Sequence, residues 1–167
     1  MHLRALKFLY TTPLLATVYR HREEFTRITP GLNDKVLTLD ATMLADKKWL
    51  NARNMVARIR RAVIDDIAAN KAPVLLGETG RVWIESIAPE SNTAWETEKG
   101  PDKTLRFILP LETNPGVVTY VGGQGLHLEA GGLWWINIRA PHCLLNAGLY
   151  PVVNFMVEFA VGEAEAA

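Results

Sequence analysis

Between Trp49 and Ile67 the apolar residues Trp49, Ala52, Val56, Ile59, Val63 and Ile67 recur at spacings of three and four. A helix of 3.6 residues per turn gathers all six on one stripe, which predicts an amphipathic α-helix over 46–70. Asp46 suits the N-cap, where a side-chain oxygen accepts from the free N–H groups of the first turn; Asn70 followed by Pro73 closes the segment. Before it, Lys35 to Leu39 reads as a strand after the turn signals Pro30-Gly31 and Asn33-Asp34. The rest of the first segment, Met1 to Leu44, mixes apolar and polar residues.

From Val74 onward the period falls to two. Val82, Ile84 and Ser86 alternate with Trp83, Glu85 and Ile87, ending at Pro89. Further strands are expected at 104–109, 116–121, 125–128, 133–138 and 152–159, separated by Asn114-Pro115-Gly116, Gly122-Gly123, Gly131-Gly132, Pro141 and Gly148. Short strands with glycine-rich turns predict a sandwich or barrel rather than an α/β sheet, with the Trp49 helix covering the outside of one sheet. Trp134 and Trp135, adjacent on a strand, must point to opposite faces.

Composition narrows the class without naming a function. The chain has 167 residues, 49% hydrophobic and 22% charged, enough for one domain with a continuous core. A single domain over 1–167 is expected, with 1–80 as strand and helix support, 81–161 as the β core and 162–167 as a frayed tail. Eighteen basic residues balance eighteen acidic ones, so neither nucleic acid nor an anionic membrane is an expected partner. Arg53, Arg58, Arg60 and Arg61 on the helix accordingly read as a solvated face. The single Cys143 rules out an intramolecular disulfide and fits a reducing compartment, and with no long apolar run the expectation is a soluble, cytoplasmic protein. Phosphate-loop, HExxH, CxxC and GxSxG motifs do not occur, which leaves kinase, zinc-peptidase and α/β-hydrolase readings without support.

Two stretches carry chemistry. One is Arg106-Phe107-Ile108-Leu109-Pro110-Leu111 followed by Thr113-Asn114-Pro115. The other runs from Leu128-Glu129-Ala130-Gly131-Gly132-Leu133-Trp134-Trp135-Ile136-Asn137 through His142 and Asn146 to Val152-Val153-Asn154-Phe155-Met156-Val157-Glu158. In order and spacing they resemble the aspartyl/asparaginyl β-hydroxylase family of iron(II)/2-oxoglutarate oxygenases over about half of the chain. The resemblance implies a mostly β, double-stranded β-helix fold (jelly roll, cupin-like). It implies an iron site built from an early His, often with an Asp two residues on, and a late His. It also implies an arginine on the last strand that grips the far carboxylate of 2-oxoglutarate, a task suited to a planar guanidinium.

Residue by residue, the late metal His falls on His142 and the arginine of the earlier strand on Arg106. The early His falls on Glu98, with Gly100 at the Asp position; a shifted register uses Glu96 and Glu98 as the pair. The co-substrate arginine is Val152, the strand His is Ile108, the His near the last strand is Asn154, and the final Asp is Glu158. The candidate metal ligands are therefore His142, Glu98 and Glu96, and the candidate cofactor contacts are Arg106, Trp95 and Asn146. Bland readings stand beside these. His142 also suits a satisfied structural histidine, Glu96 and Glu98 a solvated loop, Arg106 a simple ion pair with Glu98, and Trp95 a plug at the barrel mouth.

The departures share a direction. Carboxylates bind iron and manganese, so one His with one or two Glu remains a possible site for Fe(II) or another divalent ion. A 2-oxoglutarate carboxylate facing Val152 has no such remedy, because an uncompensated buried charge costs several kcal/mol or more. The reading is a β-hydroxylase-like domain that has lost conventional turnover and serves as a binding, assembly or structural module, with a protein partner or a second copy of itself. Two alternatives remain: an active hydroxylase with an altered Glu/His site, and a metal-binding cupin that uses no 2-oxoglutarate.

Overall fold

The computed structural model describes residues 2–27, 34–98 and 103–163. Its elements run β1 (Leu3–Phe8), α1 (Thr12–Arg20), β2 (Thr26–Arg27), β3 (Asp34–Thr38), α2 (Ala41–Ala45), α3 (Leu50–Ala69), β4 (Val74–Ile87) and β5 (Ser91–Asn92). They continue with β6 (Thr104–Glu112), β7 (Val117–Val121), β8 (Gln124–Leu126), β9 (Gly132–Ile136), β10 (His142–Asn146) and β11 (Val152–Glu163). The strands form a seven-stranded sheet, ordered β1-β9-β6-β11-β4-β3-β2, and a four-stranded sheet, ordered β5-β10-β7-β8. All pairings are antiparallel. This is the expected mostly β, double-stranded β-helix architecture.

The large sheet is buried on both faces, and side-chain alternation divides its residues cleanly. Val153, Phe155, Val157 and Phe159 of β11 join Phe107, Leu109 and Leu111 of β6 and Val82 and Ile84 of β4 in a core shared with Trp49, Ala52, Met55, Ile59 and Val63. That outer core is what α3 covers, as the three-and-four spacing requires. The opposite face looks into the barrel, where Ile108, Ile136 and Met156 pack with Val121 and Leu128. Trp135 packs on the helix-side core and Trp134 on the barrel-side core, as adjacent strand residues must.

Three local expectations change. Asp46 caps a short 3-10 turn, Lys47–Trp49, by accepting from Lys48 N at 2.9 Å, and α3 starts only at Leu50. The first segment, read only as mixed in polarity, holds β1, which pairs with β9 from Leu3↔Ile136 to Phe8↔Gly132, and α1, which packs against α3 and β6. Nor is residue 162 part of a frayed tail, since Gly162 pairs with Leu75 and Glu163 with Val74. The turn signals Pro30-Gly31 and Asn33, the position Gly100 and residues 164–167 lie outside the described residues. Among those described, no helix is long and apolar enough to cross a membrane.

Candidate functional site

The barrel interior inherits its chemistry from the same alternation. On β6, Phe107 and Leu109 face the helices, so Arg106 and Ile108 face inward; on β11, Met156 and Glu158 do likewise. Arg106 and Glu158 are register partners across the β6–β11 pair, which puts guanidinium and carboxylate side by side. Arg81 comes from β4, and His142 opens β10 on the facing sheet. Glu96 joins through an isolated backbone bridge to His142, with N–H···O distances of 2.9 Å in both directions.

These residues close into one ion cluster. Arg106 donates through Nε to Glu158 Oε1 at 2.9 Å and through Nη2 to Glu158 Oε1 at 2.6 Å and Glu98 Oε1 at 2.5 Å. Arg81 donates to both Glu158 oxygens at 3.0 Å and to Glu98 at 3.2 Å. The two guanidinium carbons lie 5.0 and 5.1 Å from the centre of the Trp83 ring, within cation–π range. Arg106 is only 3% exposed and Glu158 6%. Burial pushes the Glu158 carboxyl up, but the bonds from Arg81 and Arg106 outweigh it and hold the group below the usual carboxylate range. The bond from Arg106 holds Glu98 low as well.

His142 Nδ1 lies 3.0 Å from Ala140 O, so Nδ1 carries the hydrogen in the neutral ring, whose lone pair is then on Nε2. That lone pair meets Arg106 Nη1 at 3.4 Å and stands 4.0 Å from Glu96 Oε2. Around this point lies a pocket of about 240 Å³, whose lining includes Arg81, Arg106, Glu85, Glu96, Thr119 and His142.

Of the residues singled out in the sequence, the structure brings together His142, Arg106, Glu98 and Glu96. The pairing of Arg106 with Glu98 is one of the two alternatives the sequence leaves open, now extended to Glu158 and Arg81. Two other candidates point elsewhere. Trp95 is 61% exposed and tilts against Tyr120 rather than lining the pocket. Asn146 is fully buried, but its amide donates to Ile87 O, Ala88 O and Tyr150 O, and its oxygen accepts from Asn114 Nδ2 and Gly148 N. It ties a loop together, and a Cβ on Gly148 would stand 1.7 Å from Asn114 Oδ1, so that turn requires glycine. Val152 is 1% exposed in an apolar cluster with Ile87, Val117 and Leu144.

Sequence reasoning missed Arg81, Glu85 and Thr119 as site residues. Alternation on β4 carried the signal for the first two, since Val82 and Ile84 on the helix side leave Arg81, Trp83 and Glu85 inside. Among the described residues, His21, Glu23 and Glu24 also lie close enough together to hold an ion. They sit on the turn after α1, where Glu24 already takes Lys48 Nζ at 3.1 Å.

No family model matches the chain, and no curated protein does. Solved structures match over nearly its whole length. A Pseudomonas putida prolyl-4-hydroxylase is 15% identical with a TM-score of 0.70, covering 96% of this chain and 93% of the other. A Trichoplax adhaerens prolyl hydroxylase, solved with a hypoxia inducible factor peptide fragment, is 10% identical with a TM-score of 0.72 over 95% and 83%. SnoN, the non-heme α-ketoglutarate-dependent epimerase of nogalamycin biosynthesis, is 14% identical with a TM-score of 0.70 over 98% and 78%. None of these is an aspartyl/asparaginyl hydroxylase, and at such identities the likeness reaches only the fold. That fold is the double-stranded β-helix of iron(II)/2-oxoglutarate oxygenases.

Proposed function

We propose that this chain is an oxygenase-fold domain without conventional 2-oxoglutarate turnover, working as a binding or assembly module of the β-hydroxylase-like kind. One observation carries the reading: the lone pair of His142, the nitrogen a metal would need, faces the Arg106 guanidinium. That cation is already matched by Glu98 and Glu158. A divalent ion there would have to displace a buried, fully paired arginine or share carboxylates with it at close range, and like charges at a few ångströms repel strongly in a poorly solvated site. The co-substrate fits no better. The Val152 position is apolar on every side that its cluster defines, and the bonded N–H groups of Arg106 point to protein carboxylates.

A soluble protein partner or a second copy of this chain is the expected associate under this reading. Its test is turnover: the purified chain with Fe(II), ascorbate and 2-oxoglutarate should form no succinate above a protein-free control. Succinate that disappears in both Glu98→Ala and His142→Ala would overturn it. That result would establish the second reading, an altered Glu/His metal centre, whose one supporting observation is the 4.0 Å approach of Glu96 to His142 Nε2.

A further inference from the structure

The pocket beside the ion cluster has an unbalanced inventory. Arg81 and Arg106 are matched in charge by Glu98 and Glu158, and Arg106 also meets His142 Nε2 through Nη1. Two carboxyls on the pocket wall then remain without a cation of their own. Glu85 receives the Asn154 amide at 3.0 Å and the Trp83 side chain, both neutral donors, and Glu96 approaches the imidazole of His142. Burial pushes the Glu85 carboxyl up; Asn154 and the charge of Arg106 offset part of this, and Glu96 adds to it. Across the pocket, Thr119 is 4% exposed and its hydroxyl has no hydrogen-bond partner among the described residues. A buried hydroxyl left unmade costs about 1–3 kcal/mol in general, so such groups usually meet a ligand or water. Ile108, Ile136 and Met156 supply an apolar wall.

We propose that this pocket binds a small primary ammonium compound with a short apolar body. The three N–H bonds of the head group go to Glu85, Glu96 and Thr119 Oγ, and the body lies on Ile108, Ile136 and Met156. An ammonium supplies three donors and no acceptor, which matches a wall offering two carboxylates and a free hydroxyl. An anion of the same size would face Glu85 and Glu96 on the same wall, while the Nε and Nη2 donors of Arg81 and Arg106 are already taken by Glu98 and Glu158. The inference rests on the ion cluster being intact, as in the function proposed above.

The probe is n-pentylammonium chloride, with pentanoate and 1-pentanol as controls of similar shape, titrated calorimetrically into the intact chain. Saturable pentylammonium binding is expected, weakened at least tenfold by Glu96→Gln and by Glu85→Gln and several-fold by Thr119→Val, with neither control binding. Glu96 is exposed, so Glu96→Gln keeps the test valid should a buried replacement fail to fold. Absence of saturable binding, equal binding of pentanoate, or affinity unchanged in Glu96→Gln would each overturn the proposal. Mn(II) with 2-oxoglutarate is titrated in parallel. Its binding would strike the function beneath, whereas silence from both ligands strikes the ammonium site alone.

Discussion

Replacing Arg106 by Met removes the guanidinium and keeps most of the side-chain volume. Arg106 is almost fully buried and bonds two carboxylates, one of which, Glu158, is buried with it. Breaking a buried ion pair generally costs about 3–5 kcal/mol, because one charge stays behind unpaired. Here the cost should fall below that range, since Arg81 keeps its two bonds to Glu158 and Glu98 is partly solvated. The expected loss is about 2–3 kcal/mol by equilibrium urea unfolding, with the slope unchanged. Arg106→Lys should recover only part, because a single ammonium cannot reproduce the forked contacts to Glu158 and Glu98. The double variant Arg106→Met with Glu158→Met should be less destabilised than the sum of the singles, by about 1–3 kcal/mol. A loss within about 0.5 kcal/mol for Arg106→Met, the range of ordinary surface changes, would refute the cluster as a structural element.

Acid should act through the same carboxyls. Glu158 and Glu98 are held below the ordinary 4.5, so their contribution is complete above that value and lost as pH falls through their folded pKa. Melting curves at falling pH should therefore be steeper for the wild type than for Arg106→Met. Glu85 has the opposite sign: its pKa is raised, so the fold loses stability as pH climbs above 4.5, and Glu85→Gln should melt higher than wild type at pH 7. Val152→Arg, which puts a cation on the last strand, should instead destabilise by about 3 kcal/mol or more by placing an unpaired charge among Ile87, Val117 and Leu144. Asn146→Ala should cost about 2–3 kcal/mol in urea unfolding, because it strands Ile87 O, Ala88 O and Asn114 in a closed loop.

The sequence disclosed the frame well because alternation and helical spacing are local signals. Trp49 to Ile67 announced α3, and the turn glycines marked the barrel strands. Register and partnership are not local. β1 has weak alternation, and what makes it a strand is its pairing with β9, well over 100 residues later in the chain. The candidate site divides the same way. His142, Arg106, Glu98 and Glu96 were singled out through the resemblance to the β-hydroxylase family, but the direction of Arg106 depends on Glu158 lying opposite it on β11. Asn146 looked like a polar site residue because sequence cannot say that three backbone carbonyls will take up its amide. Arg81 and Glu85 stood in a segment read only as a strand, where their common inward face became meaningful once β11 packed beside it.

The claim at the centre is that a protein guanidinium stands where the imidazole of His142 would otherwise meet a metal. Calorimetric titration of the intact chain with Mn(II) in the presence of saturating 2-oxoglutarate addresses it most directly. No saturable heat is expected at protein concentrations of tens of micromolar. Micromolar co-substrate binding that vanishes in His142→Ala would contradict the account.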